Sequence, residues 1–221
     1  MNGALAKTSL VLGLCIIAWI GFHTYRCEAA PVNKVPRVLR DLENSLTTGD
    51  VDELATVLRV RPDLANASMS GGPPLHIAAK YDQPDVIRYL LEHGADRDAR
   101  GAERGMKQCT ALHWACLWGS KAAAEVLIDE GIGIEDRHDL FNSTPLYWAA
   151  LGSWVTVSDK PGDYEGVVRM LVNRGAAVDT RDRVGRSAIS VASSQVAKVL
   201  KECRATSNAR PATRPARASA S

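Results

Sequence analysis

The sequence predicts an all-α fold, a solenoid of about five stacked helix-turn-helix units with short hairpin loops. Three observations predict it. A phrase recurs as PPLHIAAKYD from Pro73, TALHWACLWG from Thr110, TPLYWAALGS from Thr144 and SAISVASSQV from Ser187. A second apolar segment follows each copy: VIRYLLEHGAD from Val86, AAEVLIDEGIG from Ala123, VVRMLVNRGAAVD from Val167 and VAKVLKE from Val196. The interval from Leu75 to Gly94 equals that from Leu112 to Gly131, 19 positions in each, so the register is shared.

Each unit reads as two short amphipathic helices. In the first, the small pairs Ala78–Ala79 and Ala149–Ala150 let the backbone approach its neighbours, while Leu90, Leu91, Leu171 and Val172 form the apolar stripe of the second. Thr110, Thr144 and Ser187 stand at N-cap positions, where a hydroxyl accepts a backbone N–H. Pro74 and Pro145 fall in the first turn, which tolerates a missing N–H. Gly94, Gly131 and Gly175 end the second helix. One such pair cannot bury its stripe alone, so stability must come from stacking.

These residues resemble the ankyrin repeat, whose TPLHxAAxxG and LLxxGAD signatures are nearly complete in three copies. The resemblance spans 38–202. An amino-terminal unit, VLRDLENSLTTGDVDELATVLRVRPDLANA, places Gly49 and Asp50 at its interhelical turn and carries a degenerate first helix, as a cap would. GRSAISVASSQVAKVLKE is shortened and reads as the other cap.

Around this domain the chain divides into three further parts. Residues 1–29 contain an uncharged run, Thr8 to Phe22, preceded by Lys7 alone. Its length suits the apolar region of a signal peptide, and Cys27 and Ala29 give a small-x-small cleavage pattern before Ala30. Left uncleaved, residues 8–25 would tether the chain to a membrane, with Arg26, Lys34, Arg37 and Arg40 favouring a cytoplasmic main domain. Leu14 spoils a lipoprotein reading at Cys15. The two remaining readings give two locations: exported, periplasmic or secreted, if cleaved near Ala29, and otherwise membrane-anchored. Residues 30–37 read as a linker. The tail 203–221 is rich in Arg, Ala, Pro and Ser, which predicts disorder.

Composition excludes some functions. A net charge of +2 gives no field that would recruit nucleic acid, and removing Arg204, Arg210, Arg214 and Arg217 leaves −2. Five cysteines without regular spacing do not make a disulfide framework. His113 and Cys116, three positions apart, invite a metal or nucleophile reading. The repeat register answers it: His113 matches His76, which the resemblance makes structural, and Cys116 matches a buried alanine. No metal, cofactor or catalytic site is predicted, and no GxSxG, P-loop or HExxH occurs. Asn66 and Asn142 begin Asn-x-Ser/Thr triplets, read as unmodified loop residues.

The resemblance implies a scaffold that binds another protein with its hairpin tips and the concave face of its first helices. Register places Lys80, Tyr81, Leu117, Trp118, Leu140, Phe141, Leu151, Arg183 and Arg186 there. Tyr81, Leu117, Trp118, Leu140 and Phe141 form an apolar and aromatic run with hot-spot chemistry, whereas Trp114 and Trp148 are expected to pack between units. Two insertions break the period, GAERGMKQ within 100–108 and GSWVTVSDKPGDY over 152–164. The second offers Trp154 as a further anchor. The expectation is a monomeric, non-enzymatic, exported or membrane-tethered scaffold. Its alternatives are an exported inhibitor or immunity-type partner of an enzyme, and a membrane-anchored structural protein.

Overall fold

The computed structural model describes residues 37–101, 108–137, 141–154 and 162–209. Among them ten α-helices pack as five consecutive pairs: α1 (Arg37–Thr48) with α2 (Val51–Val60), α3 (Pro74–Lys80) with α4 (Pro84–Glu92), α5 (Ala111–Trp118) with α6 (Lys121–Asp129), α7 (Pro145–Gly152) with α8 (Tyr164–Asn173), and α9 (Ala188–Val191) with α10 (Ser194–Ala209). A 3₁₀ turn, Pro62–Asn66, follows α2. The first helices α3, α5, α7 and α9 stack in order, with the second helices alongside them. All-α ankyrin-type stacking of five units is therefore the architecture.

Local chemistry sets the helix starts. Asp50 caps α2 by accepting from Glu53 N–H at 2.9 Å, Thr144 caps α7 by accepting from Tyr147 N–H at 3.4 Å, and Asp163 caps α8 by accepting from Gly166 N–H at 2.8 Å. Ser187 occupies the N-cap of α9, but its side chain makes no cap bond. Helix α9 is four residues long because Ser193 initiates α10 instead, its hydroxyl accepting from Val196 N–H. The unit without the repeat signature has the longest first helix, held by Leu42 and Leu46 and by buried Ser45, whose hydroxyl bonds Leu42 O at 2.8 Å.

Leucines at matching positions line the core. Leu75, Leu112 and Leu146 are buried in successive first helices, and Leu90, Leu127, Leu171 and Leu200 in successive second helices. Each such side chain removed from water contributes about 1.5–3 kcal/mol. Helices α5 and α7 are flanked on both sides, so Ala111 to Leu117 and Pro145 to Ala150 are buried on every face. That explains why neither segment has a polar stripe. Trp114 and Trp148 pack edge-on against His76 and His113 of the preceding unit.

Hydrogen bonds tie each unit to the next along two edges. On the hairpin edge, His76 Nε2 donates to Cys109 O at 2.9 Å and His113 Nε2 to Ser143 O at 3.3 Å. Asn66 spans the first two units, donating to Gly94 O at 2.8 Å and accepting from Asp96 N–H at 2.7 Å. On the turn edge, Gln83 donates to Thr47 O, Ser120 to Lys80 O, Ala123 N–H to Asp82, Asp163 N–H to Gly119 O, and Ser193 N–H to Ser153. Cooperative folding of the array depends on these junctions.

The helical domain is longer than the sequence implies. Helix α1 begins at Arg37, inside the segment read as linker, and α10 runs to Ala209, seven residues into the segment read as disordered tail. The cause is local: Cys203 is buried against the core, Arg204 pairs with Asp179 at 3.3 Å, and Thr206 bonds back to Cys203 O. The signal or anchor segment 1–29 and the remainder of the tail lie outside the described residues, among which no helix is long and apolar enough to cross a membrane.

Burial holds the His76 pKa down at about 4, with the Cys109 carbonyl opposing and Arg100 adding to the shift. The unfolded chain takes up this proton near 6.5, so between those values it binds more protons than the folded chain and stability falls as pH drops. Thermal melts at pH 7 and pH 5 should show a larger loss of Tm for the native sequence than for His76→Gln.

Candidate protein-binding face

The carboxyl ends of α3 and α5 carry Tyr81 and Trp118, which register selected, and the end of α7 is followed by Trp154 of the second insertion. Tyr81 is 46% exposed and Trp154 56% exposed, while Trp118 is half-buried. Lys80 joins two of them: its Nζ lies 5.1 Å from the Tyr81 ring centroid and 4.6 Å from that of Trp118. Both distances suit cation–π attraction. The result is a Tyr81–Lys80–Trp118 stack crossing the junction between the second and third units.

Leu117 does not belong to this face. It is 5% exposed and part of the core, because the fourth unit closes over it: the Gly152 backbone lies against Leu117 O, and Tyr164 Oη donates to the same oxygen at 3.3 Å. A β-carbon at Gly152 would overlap that carbonyl. Lys80 and Leu117 share a register position, but the 152–164 insertion covers only the latter. Phe141 is half-buried and packs on the core, and its carbonyl accepts from Arg183 N–H at 2.9 Å. Leu140 lies outside the described residues. Arg186 is committed elsewhere, to Asp182.

The insertion has a fixed base. At its start Ser153 Oγ donates to Ala150 O and accepts from Ser193 N–H of the fifth unit at 2.9 Å. At its end Asp163 N–H donates to Gly119 O of the third unit at 2.9 Å. Trp154 therefore stands on an anchored root, its N–H bonded to Leu151 O.

A buried ion pair lies at the hairpin edge, and sequence reasoning missed it. The Asp182 side chain is fully buried, with Oδ2 accepting from Tyr147 Oη at 2.9 Å and Arg186 Nε at 2.8 Å, and Oδ1 accepting from the N–H groups of Val184 and Arg186. Burial raises its pKa, but these donors and the Arg186 charge outweigh that and leave it below the ordinary carboxylate range. Tyr147 fills the place of His76 and His113. The signal was the exchange of histidine for a longer hydroxyl donor, matched by a carboxylate one unit later.

His113 and Cys116 have no reactive geometry. Both are fully buried, and His113 Nδ1 accepts from Thr110 Oγ1 at 2.8 Å and from Thr110 N–H at 3.3 Å. Burial pushes the Cys116 thiol pKa well up, so it stays protonated. Among the described residues no three His, Cys, Asp or Glu side chains form a metal-binding group.

Five helix pairs, forward-reaching histidines and hairpin bridges at Gly101–Cys109 and Arg181–Ser187 define an ankyrin-repeat protein. The chain belongs to that family, matching Ankyrin repeats (3 copies) over residues 47–138 and 97–182. Ankyrin repeats are protein-binding modules, typically without catalysis. The chain is 36% identical over 84 residues to the human NAD-capped RNA hydrolase NUDT12, covering 38% of this chain and 17% of that protein. It is 34% identical over 64 residues to human protein phosphatase 1 regulatory subunit 27, covering 29% and 42%. A Caenorhabditis elegans transient receptor potential cation channel subfamily A member 1 homolog is 29% identical over 122 residues, covering 55% and 9%. The chain thus spans less than half the length of each of these relatives.

Tyr147→Phe leaves the buried Asp182 carboxylate one donor short and should cost about 1–3 kcal/mol in urea unfolding. A change below a few tenths would show that the donor is dispensable.

Proposed function

We propose that this protein is a non-enzymatic, monomeric scaffold that captures a partner protein on the face bearing Tyr81, Trp118 and Trp154. The observation that carries this is the exposure of Tyr81, within the Lys80 stack, and of Trp154, both among the few exposed large hydrophobic residues of the described chain. Phe141, half-buried against the core, borders the same face toward the hairpins. Exposed aromatics supply contact area with few rotamers to freeze, which is the chemistry of hot spots.

An enzyme as partner is the finer form of this reading. Its support is the 34% identity to a protein whose name makes it a regulatory subunit of a phosphatase. An exported inhibitor or immunity-type role is of this kind.

Residues 1–29 would carry the domain to a membrane, either as a cleaved signal or as a retained tether that makes the protein an anchored scaffold. Fractionating cells and reading the product's amino terminus separates the two. A soluble exported product starting at Ala30 supports the first, a membrane-bound product retaining the segment supports the second, and a soluble product retaining it overturns both.

Partner capture should fall at least tenfold in a Tyr81→Ala, Trp154→Ala double variant, since each truncation at a hot spot costs about 2 kcal/mol. Circular dichroism should be unchanged because both side chains are exposed. Unaltered capture by the folded double variant rules this face out.

A further inference from the structure

The junctions between units are not equally satisfied, and the difference can be traced to two residues. At the hairpin edge of the third-to-fourth junction the matching side chains are paired: Thr110 serves His113 Nδ1 with both its hydroxyl and its N–H, His113 Nε2 donates to Ser143 O, and Trp148 Nε1 donates to Ser143 Oγ at 2.9 Å. At the fourth-to-fifth, Asp182 and Arg186 satisfy Tyr147.

The second-to-third junction keeps the forward bond from His76 Nε2 to Cys109 O at 2.9 Å but lacks the flanking partners. Pro73 stands where Thr110 and Thr144 stand, and proline has neither a hydroxyl nor an N–H, so the Nδ1 of fully buried His76 has no partner. Cys109 stands where Ser143 stands, and the Nε1 of Trp114, in a side chain 5% exposed, has no partner either. Both orphans meet at one place, since the His76 and Trp114 rings pack edge-on with centroids 6.2 Å apart. Buried unpaired donors and acceptors each retain a desolvation cost. The opposite edge of the same junction is well bonded, through Ser120 Oγ to Lys80 O at 3.0 Å and Ala123 N–H to Asp82 Oδ1 at 2.8 Å.

We infer that the solenoid opens at the hairpin edge of its second-to-third junction, with α1 to α4 separating from α5 to α8 as one block about the Lys80–Asp82 turn. A one-dimensional array opens most readily where an interface carries uncompensated groups, and the paired orphans lie one unit inward from the amino-terminal cap. The partner-binding face crosses this joint, because Tyr81 and Lys80 lie on one side and Trp118 on the other. Opening would therefore divide the face.

Native-state hydrogen–deuterium exchange of the full chain, read on peptides from 37–92 and 111–173, tests this. The expected result is one shared, lower level of protection for α1 to α4, with the step falling between Glu92 and Ala111. Cys109→Ser gives the Trp114 N–H an acceptor and should raise protection of that block about fivefold, leaving α5 to α8 unchanged. Adding Pro73→Thr, which supplies His76 Nδ1 with two donors, should bring the rise to about tenfold or more. A step between α2 and α3 would mean that only the first unit frays, and would overturn the inference. So would uniform protection, or protection of the first block that neither variant changes.

Discussion

The structure depends on one recurring contact, the side chain near the start of the first helix in each of the three central units that reaches forward to the hairpin of the next unit. His76 and His113 do so with an imidazole N–H on a backbone carbonyl, and Tyr147 with a phenol on a carboxylate. Each contact fixes the distance and rotation between neighbours, and the leucine columns then fall into register. Without it a unit is two short helices, too short to persist alone in water. Hydrophobic burial supplies most of the free energy, while these directional bonds select one stacking geometry.

The three contacts also show how a repeat array tolerates substitution. Tyrosine in place of histidine moves the acceptor away from the backbone, and Asp182 with Arg186 completes the exchange. Proline in place of threonine is not completed by anything, and the loss is borne locally at His76. Because each unit touches its neighbours alone, a defect at one junction leaves the others intact. Stability therefore varies along the stack.

Much of the fold was legible in the sequence because the repeat signature encodes local chemistry: Thr144 as cap, Pro74 and Pro145 in first turns, small pairs where backbones approach, and glycines closing second helices with positive φ at Gly94, Gly131 and Gly175. What failed depended on contacts between units. Register put Leu117 level with Lys80, but the 152–164 insertion of a later unit covers it, and no periodicity reports that. The ends of the domain were misplaced for a related reason. Arg37 and the residues after Glu202 look polar in isolation, but α1 and α10 each pack one face on a neighbour and leave the polar face outward, as terminal units must. The exposure of Tyr81 was legible because an aromatic residue at a solvent-facing register position is anomalous in itself, and that of Trp154 because it lies in an insertion that breaks the period.

The insertion is joined to the stack at its two ends. Its two ends are held by backbone and serine bonds to the third and fifth units, at Gly119 and Ser193, and none of those bonds depends on a side chain between Trp154 and Pro161. The leucine columns and the forward-reaching contacts described above are likewise made by residues outside that interval. Scaffold and insertion are thus joined at a few backbone and serine contacts, much as a tool's handle meets its bit at one socket.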